Sequence, residues 1–319
     1  MYVTSKTNNM KRIGVLFGKE RSFPNAFVER VNSKNIEGVT AEPVLIAQAL
    51  QGVPSGYAVI IDRISQDVPF YRTWLKNAAL TGTYVINNPF WWSADDKYFN
   101  NCLMTRLGVP VPKTAIIPSN QLPDDTSPES FSNLTYPLNW EAIFNEVGFP
   151  AYMKPFAGGG WKSVYRLENA DEFFEKHKET GQLVMMLQEE IAFEEYYRCY
   201  CVGQKHVRIM PYEPRNPHHL RYQASFTPTA EKLEQMTEIV LKINKALGYD
   251  LNTVELALRD GVPYAIDFCN PAPDADIVSV GPENFEWIVE TMANYTIELT
   301  QTGTEQHKIT WGDFVRNSV

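Results

Sequence analysis

The sequence predicts an α+β protein in which a small α/β domain, residues 1–88, precedes a larger α+β domain, residues 89–319. Two observations predict this class. Short apolar strand patterns alternate with helical patterns along most of the chain, and a hairpin pattern at 251–268 indicates antiparallel strands in the second part. The Asn88-Pro89 pair marks the boundary, because such a pair favours a turn.

The first domain contains two strand candidates, KRIGVLF at 11–17 and AVIIDRI at 58–64, and a helical pattern lies around residues 25–31 between them. A second helical pattern at 70–80 leads to the strand-like TYVINN at 83–88. This alternation of strands and helices predicts a small α/β domain.

The second domain opens with a predicted helix at about 95–107, and the prolines of VPVPKTAIIP, 109–118, then keep the chain extended. A long polar loop follows at 118–139, and loops of this length are often functional. A helix fits 230–247 and ends before a glycine. The hairpin at 251–268, LNTVELALRDGVPYAIDF, turns at Arg-Asp-Gly.

Charge and cysteine content limit the class of protein. The net charge of -9 over 319 residues argues against a broad grip on nucleic acid or on an anionic membrane. The four cysteines form no Cys-x-x-Cys pair, which indicates reduced thiols. No apolar run approaches the ~20 residues of a bilayer span. We therefore expect a soluble cytoplasmic protein with no nucleic-acid or membrane partner.

A glycine cluster stands out in AYMKPFAGGGWKSVYRL, residues 151–167. It is not a P-loop, because Trp161 rather than glycine precedes Lys162-Ser163. Gly14 and Gly18 have the wrong spacing for a dinucleotide fingerprint. The remaining interpretation is a glycine hairpin whose backbone amides cover a polyphosphate, with Lys154 supplying positive charge. A plain turn is the ordinary alternative for such a cluster.

Four segments in chain order extend this interpretation. They are Asp96-Lys97, then Lys154, then QEEIAFEEYYRCYCVGQKHVRI at 188–209, and finally VELALRDGVPYAIDFCNPAPD at 254–274. Their order resembles the ATP-grasp superfamily, and within it the branch of the ribosomal-protein glutamate ligases and the D-alanine:D-alanine ligases. The resemblance runs from about residue 85 to 280. It implies two α+β subdomains that grip ATP, with a lid at about 112–190.

The resemblance also implies a nucleotide site. Its members would be Lys97, Lys154, Gly158, Gly159, Gly160, Lys162 and Ser163 around the phosphates, and Gln188, Glu189 and Ile191 at the adenine edge. Glu195 would bind the ribose hydroxyls, with Glu194 as the alternative, although simple counting gives Tyr196 at that position. An exposed acidic run is the ordinary explanation of the two glutamates.

Oxygen ligands at the predicted hairpin suit magnesium. Glu255 and Asp267 can project from adjacent strands to one side, and Asn270 adds an amide oxygen. Asp267 lies among apolar residues, where an unpaired carboxylate is costly. The relatives carry acid-x-Asn, whereas this chain has Asp267-Phe-Cys-Asn270, which is one residue longer. The D-alanine ligases place an arginine where this chain has Thr253.

Arginines supply the predicted catalytic groups. RCYCVG, residues 198–203, resembles a strand of the glutamate-ligase branch, with Arg198 as a phosphate-binding or strand-pairing group. Among Arg208, Arg215 and Arg221, we select Arg221 to bind the acyl phosphate or the substrate, because a guanidinium is a planar fork for such anions. In the first domain, Arg63, with Tyr71 or Arg72, is a candidate carboxylate clamp; ordinary surface is the alternative.

The resemblance implies an ATP-dependent carboxylate-amine ligase that uses Mg2+ and forms an amide through an acyl phosphate. Its partners would be a small carboxylic acid and an amine, including amino acids or a peptide, and a homodimer is common at this size. Two other classes stay open at this point. One is an ATP-grasp kinase with a hydroxyl acceptor, and the other is a non-catalytic ATP-binding protein, which the altered Asp267-Asn270 spacing permits.

Overall fold

The computed structural model describes residues 10–90, 96–159, 161–223 and 226–302. Within these ranges the chain forms three four-stranded sheets with helices packed against them. The strands are β1 (Lys11–Leu16), β2 (Val39–Pro43), β3 (Val59–Asp62), β4 (Tyr84–Ile86), β5 (Thr114–Ile117), β6 (Ala151–Pro155), β7 (Tyr165–Leu167), β8 (Met185–Glu189), β9 (Glu195–Val202), β10 (His206–Pro211), β11 (Leu251–Arg259) and β12 (Val262–Asp267). The α helices are α1 (Ser22–Ser33), α2 (Pro69–Leu80), α3 (Lys97–Arg106), α4 (Trp140–Val147), α5 (Ala170–Glu179), α6 (Ala230–Leu247), α7 (Ile277–Val280) and α8 (Pro282–Thr302).

The first sheet has the order β2-β1-β3-β4, and its strands are parallel. Its central strands β1 and β3 are almost wholly buried, as expected for a parallel sheet covered by helices on both faces. The helix α8 packs against α1 and shares its core, so a C-terminal segment completes the N-terminal domain. The sequence patterns indicated this α/β sheet but missed β2 and α8.

The second sheet has the order β5-β8-β6-β7, and all its pairings are antiparallel. The segment predicted as the lid, about 112–190, contains all four of its strands. Helices α4 and α5 cover the sheet with an aromatic cluster in which the Trp140 ring lies 5.5 Å from the Phe173 ring. The predicted hairpin on either side of the glycine cluster is confirmed, because β6 pairs with β7.

The third sheet, β10-β9-β11-β12, is antiparallel throughout and carries the predicted hairpin. At its turn, Asp260 and Gly261 have φ angles of 54° and 76°, the left-handed values that a tight two-residue turn requires. The helix predicted at 230–247 is confirmed as α6, which ends at Gly248 in the left-handed conformation. The helix α6 buries its apolar face against this sheet.

Asn87 joins the first sheet to the third at the predicted domain boundary. It is 3% exposed, its side-chain amide donates to the Leu251 carbonyl at 2.7 Å, and its Oδ1 accepts from the backbone N–H groups of Asp250 and Leu251 at 2.7 and 2.8 Å. These bonds fix the position of β11 relative to β4. Among the described helices, none is both long enough and apolar enough to span a bilayer.

Candidate nucleotide and metal site

Two carboxylates oppose each other across the hairpin of β11 and β12. Glu255 pairs in register with Asp267, but the next residue, Leu256, pairs with Ala265, so Ile266 is an extra residue in β12. Directly opposed residues of an antiparallel pair place their side chains on the same face, and a bulge of this kind re-aims a strand. The structure thus brings the two predicted metal ligands together.

Lys97 reaches this pair from the first turn of α3. Asp96 caps the helix by accepting from the Phe99 N–H at 2.7 Å, and the Lys97 N–H donates to the Phe156 carbonyl at 2.9 Å. The Lys97 ammonium lies 3.3 Å from Oδ1 of Asp267. The Asp267 carboxylate raises the pKa of Lys97, which therefore remains a cation. The capped helix start and its bond to the end of β6 hold this cation at the carboxylates.

Lys154 is the second cation near the carboxylate pair. It lies on β6, and burial lowers its pKa to about 8, although the Asp267 carboxylate opposes that shift. Within the described ranges its ammonium has no hydrogen-bond or ion-pair partner. This partly buried ammonium has no partner of its own among the described residues and is therefore suited to bind an anion, because desolvation of an unpaired charge is unfavourable.

The carboxylates respond to these cations in opposite ways. Burial raises the pKa of Asp267, but the ammonium groups of Lys97 and Lys154 outweigh burial, and the net shift is downward. Burial raises the pKa of Glu255, and the Asp267 charge adds to this, while Arg198 opposes it. The pair therefore consists of one firmly ionised carboxylate and one whose ionised form would gain from an added cation.

Arg198 and Tyr196 hold Glu255 from the neighbouring strand β9. The Arg198 Nε lies 3.6 Å from Glu255 Oε1, and the Tyr196 hydroxyl donates to Glu255 Oε2 at 2.6 Å. Arg198 also donates to the Tyr222 hydroxyl at 3.1 Å and lies over the Tyr212 ring. The sequence analysis did not predict Tyr212 and Tyr222, because an aromatic residue in an irregular loop belongs to no recognisable motif.

Arg221 lies beside the same aromatic group. Its Nε donates to the Asn216 carbonyl at 3.0 Å, and its Nη1 lies 3.4 Å from the Tyr212 hydroxyl. Arg198 and Arg221 thus approach one tyrosine, the first over its ring and the second at its hydroxyl. The structure brings together the two arginines selected from the sequence.

A small open cleft lies between α3, β6 and the end of β12. Lys97, Lys154 and Asp267 line it with Asn100 and Cys269, and the Asn100 amide donates to the Cys269 sulfur at 3.0 Å. Asn100 and Cys269 are cleft residues that the sequence patterns did not indicate, since neither belongs to a recognisable motif. The cleft is polar and charged on several sides, which suits a phosphate group or a hydrated cation.

The donor set fits magnesium shared with a phosphate. No cluster of three or more acidic, histidine or cysteine side chains that would hold a metal occurs in the described ranges. Magnesium does not require one, because it commonly takes one or two carboxylates plus phosphate oxygens and water. Glu255 and Asp267 supply that number. Asn270 lies three residues on, and its N–H donates to Asn252 Oδ1 at 2.7 Å.

The segment after Asp267 is held by Asn252. The Asn252 side chain donates to the Phe268 carbonyl at 2.8 Å and accepts from the Asn270 N–H, so it fixes the longer Asp267-Asn270 connection. Thr253, two residues before Glu255, is fully buried, and its hydroxyl has no partner among the described residues. Thr253 therefore places no cation in the cleft.

The predicted adenine edge lies at the end of β8. The Glu189 carboxylate is already paired with Arg259 at 2.6 Å, and it accepts from the Lys113 N–H at 3.2 Å. Gln188 donates to the Thr114 hydroxyl at 3.0 Å. Ile191 is only 6% exposed, yet its backbone N–H and C=O bond to no other described residue. The backbone of Ile191, rather than the side chains of Gln188 and Glu189, is available to a ligand.

Glu195, predicted to bind the ribose hydroxyls, lies on the face of β9 opposite to that of the carboxylate pair. Successive residues of a strand point to opposite faces. Glu195 lies on the face of Tyr197, whose hydroxyl it accepts at 2.6 Å, and it pairs with Lys232 of α6 at 2.7 Å. Tyr196 occupies the face of Glu255 instead. The predicted contact of Glu195 with the ribose hydroxyls stays a prediction, and in this structure its carboxylate is paired with Lys232.

The glycine loop connects β6 to β7. Gly158 has a φ of 85°, and the exposed Lys162 follows Trp161 with its φ of 61°. Ser163 also has a left-handed φ, of 53°. Gly159 is exposed, whereas Gly160 lies outside the described residues. The exposed side of this loop presents the backbone of Gly158 and Gly159, the Lys162 side chain and the Trp161 side chain, which is 65% exposed.

The carboxylate clamp predicted on the first domain is wrong for Arg63. The Arg63 side chain is only 3% exposed. Its guanidinium donates two hydrogen bonds to the Glu20 carboxylate, at 2.6 and 2.7 Å, and one to the Pro273 carbonyl, at 2.7 Å. This residue therefore joins the first domain to the chain after β12. Tyr71 of α2 is partly buried against the core of the first sheet, and Arg72 donates to the Ser65 carbonyl at 3.4 Å.

Comparison with known proteins yields structural relatives alone. No family model matches the sequence, and no curated protein matches it. The RimK domain ATP-grasp protein of Sphaerobacter thermophilus is 17% identical, with a TM-score of 0.63 over 90% of this chain and 99% of its own. D-alanine–D-alanine ligase of Bacillus anthracis, complexed with ATP, is 16% identical, with a TM-score of 0.62 over 97% and 100%.

The ATP-grasp ligase PsnB, complexed with a minimal precursor, is 15% identical, with a TM-score of 0.60 over 90% of this chain and 98% of its own. The three relatives match nearly their whole length. At these identities the likeness concerns the fold. The resemblance noted in the sequence is therefore confirmed at that level, and the chain has the fold of the ATP-grasp superfamily.

Proposed function

We propose that this protein is an ATP-dependent carboxylate-amine ligase, which forms an amide or peptide bond through an acyl phosphate. The observation that carries the proposal is the convergence of Lys97, Lys154 and Asp267 on one cleft from α3, β6 and β12, with Glu255 of β11 directly opposite Asp267. Phosphoryl transfer needs cations at the phosphates and carboxylates for magnesium. This cleft supplies both kinds of group.

The base of ATP has a matching surface at the end of β8. Ile191 and Tyr196 form a buried apolar cluster with Ala257, against which Phe193 and Ile266 pack. The backbone N–H and C=O of Ile191 have no partner among the described residues, and an adenine edge offers one acceptor and one donor in reach of such a pair. Adenine at Ile191 directs the phosphates toward Lys154 and the glycine loop.

The reaction follows in two displacements. A carboxylate oxygen of the acid substrate attacks the γ-phosphorus of ATP, the bond to the β-phosphate oxygen breaks, and ADP leaves. An amine then attacks the acyl carbon, loses its proton, and displaces inorganic phosphate. Lys97 and Lys154 hold the phosphates and stabilise charge at the β,γ-bridge. Magnesium, held by Glu255 and Asp267, would neutralise further charge there.

Arg198 and Arg221 serve the acyl phosphate in this proposal. Thr253 leaves the floor of the site without the arginine that D-alanine ligases carry there. Arg198 is a buried guanidinium whose Nε has no hydrogen-bond partner among the described residues. A buried donor aimed at Glu255 is suited to an oxyanion that develops beside the metal. Arg221 lies at the hydroxyl of Tyr212, the residue whose ring Arg198 covers, and would contact the substrate carboxylate.

The substrates are proposed by class only. PsnB is complexed with a precursor peptide, and the Bacillus anthracis enzyme is a D-alanine–D-alanine ligase. We propose an amino acid or a peptide as one substrate of this protein, with ATP and Mg2+ as cosubstrate and cofactor and no nucleic acid or membrane partner. A cytoplasmic location and a homodimer complete the proposal.

The test is ADP release with ATP and Mg2+ across a panel of amino acids, peptides and small carboxylic acids, each with and without an amine. Product mass is measured in the same samples. A ligase gives acid-dependent ADP and a product that contains both substrates less one water. A phosphorylated alcohol in place of the amide would identify a kinase. Saturable ATP binding with no ADP from any acceptor would identify a binding protein.

The Asp267→Asn variant is the matched negative control for this assay. It differs from the native chain by one carboxylate oxygen exchanged for an amide nitrogen, so contaminating ATPase activity persists in both preparations. ADP release that is equal in the two proteins does not come from the proposed site.

A further inference from the structure

Glu255 has both carboxylate oxygens held by one neighbouring strand. Tyr196 and Arg198 are two residues apart on β9 and share a face, and they approach Oε2 and Oε1 respectively, at 2.6 and 3.6 Å. The shorter contact is the tyrosine's. An isolated carboxylate on a side chain with three rotatable bonds has many orientations, whereas a hydrogen bond to one oxygen and a nearby guanidinium at the other leave few.

The position of Tyr196 makes this contact rigid. The side chain is 5% exposed and packs among Ile191, Tyr212 and Ala257. Tyr196 pairs in register with Ala257, two residues from Glu255 on the same face of β11, which is the diagonal distance that a tyrosine can bridge. A buried ring with a fixed backbone holds its hydroxyl at one place.

We propose that Tyr196 is a positioning residue for the metal site: its hydroxyl fixes the rotamer of Glu255 so that the remaining lone pairs face Asp267 and a shared Mg2+. The inference rests on the proposed function, because it concerns the metal that ATP would bring. Outer-sphere donors of this kind orient ligands and commonly affect metal affinity as strongly as activity.

The chain contains a matched control one residue away. Tyr197 also donates to a glutamate, Glu195, at 2.6 Å, and it is fully buried on the same strand. Its contact lies on the opposite face, toward Lys232 and α6. The two Tyr→Phe variants remove the same atom from the same strand and from the same kind of bond. They differ in which glutamate loses its donor.

The test measures Mn2+ binding by electron paramagnetic resonance in the presence of saturating AMPPNP, with the full chain. For Tyr196→Phe we expect Mn2+ affinity to fall by about 10- to 100-fold, and AMPPNP affinity without metal to be unchanged. Tyr197→Phe is expected to bind Mn2+ as the native chain does. Equal Mn2+ affinity in Tyr196→Phe and the native chain overturns the positioning role and leaves the proposed function standing.

A double-mutant cycle with Glu255→Asp separates positioning from a general loss of structure. The shorter aspartate withdraws its oxygens from the tyrosine, so Tyr196→Phe should cost little further Mn2+ affinity in that background. If the Mn2+ affinity of the double variant falls by the product of the two single-variant effects, Tyr196 does not act through Glu255. If the native chain itself binds neither Mn2+ nor AMPPNP, the proposed function fails and the positioning role with it.

Discussion

Glu255 and Asp267 stand directly opposite each other on β11 and β12, and the extra residue Ile266 beside them shifts the register of the rest of the hairpin. If the ladder stayed regular beyond the Leu256–Ala265 pair, Glu255 would pair with Ile266, and Asp267 would lie opposite Val254 on the other face of the sheet. The bulge at Ile266 therefore places the two carboxylates opposite each other on one face.

The first prediction concerns this pair. In Asp267→Asn we expect ADP formation to fall by roughly 100-fold or more, because the change removes charge where magnesium and Lys97 are held. The Mg2+ concentration needed for half-maximal rate should rise more than the ATP concentration does. Steady-state kinetics with Mg2+ and ATP varied independently measure both.

Asp260→Asn is the control for that experiment. Asp260 is exposed in the turn of the same hairpin, at the far end from the cleft. The substitution makes the same chemical change and should leave the Mg2+ and ATP concentrations for half-maximal rate unchanged. Coincident Mg2+ titrations for Asp267→Asn and Asp260→Asn would place the metal elsewhere.

The second prediction separates stability from activity at Lys154. A buried ammonium with no ion-pair partner among the described residues costs stability, so Lys154→Met should unfold at an equal or higher temperature than the native chain. ADP formation should fall by roughly 100-fold or more, since a phosphate cation is lost. Thermal unfolding and ADP release are measured on the same preparation.

Lys178→Met, on α5, is the comparison. Lys178 is exposed and lies outside the proposed site, so its removal affects neither the core nor the charge at the cleft. A loss of activity confined to Lys154→Met supports its place under the phosphates. Full activity in Lys154→Met contradicts the proposed nucleotide site.

The third prediction is a pH dependence of nucleotide binding. Burial lowers the pKa of Lys154 from 10.5 to about 8, so the ammonium is charged below that pH and neutral above it. If only the charged form binds ATP, the apparent Kd rises about tenfold for each pH unit above 8. Calorimetry between pH 7 and 9.5, in buffers of different ionisation enthalpy, measures the Kd and the proton uptake together.

The same shift has an opposite consequence for folding. Between the folded-state pKa of about 8 and the ordinary 10.5, the unfolded chain binds more protons at Lys154, so its contribution destabilises at low pH and is relieved as the pH rises. Between pH 8 and 10.5, ATP binding therefore weakens while the destabilisation of the folded state by Lys154 becomes smaller. Lys154→Met should lose both trends, and their persistence in that variant assigns them to another group.

The sequence was sufficient for features that depend on local pattern. The hairpin of β11 and β12 and helix α6 follow from alternation and turn chemistry, whereas the bulge that places Glu255 directly opposite Asp267 does not. The sequence was insufficient where a shift of one residue moves a side chain to the other face of a strand. Glu194, Glu195 and Tyr196 are consecutive, and only the pairing of β9 with β11 decides which of them faces the site.

Long-range partners were equally hidden. The local sequence around Arg63 indicated an exposed carboxylate clamp, yet Arg63 is buried against Glu20 and the Pro273 carbonyl. The latter lies 210 residues away along the chain. No periodicity of the sequence relates such positions, because their contact arises when α8 and the chain after β12 return to the first sheet.

The fourth prediction concerns the junction of the first and third sheets. Asn87→Ala removes a side chain that satisfies two backbone N–H groups and one carbonyl, and these would remain buried. We expect the free energy of unfolding to fall by about 3 kcal/mol, since each unsatisfied buried group costs roughly 1–3 kcal/mol. Urea denaturation measures the change. Asn120→Ala, on the exposed loop after β5, should unfold as the native chain does.

The last prediction tests the role of Arg198. Arg198→Lys keeps a positive charge at Glu255 but loses the planar group that contacts the Tyr222 hydroxyl and lies over the Tyr212 ring. If Arg198 stabilises the oxyanion of the acyl phosphate, kcat for product formation falls by roughly 100-fold or more while the Kd for ATP is unchanged. Arg208→Lys is the control, because Arg208 pairs with Glu283 on the outside of the molecule. A fall in ATP affinity that equals the fall in kcat would instead assign Arg198 to ground-state binding of the nucleotide.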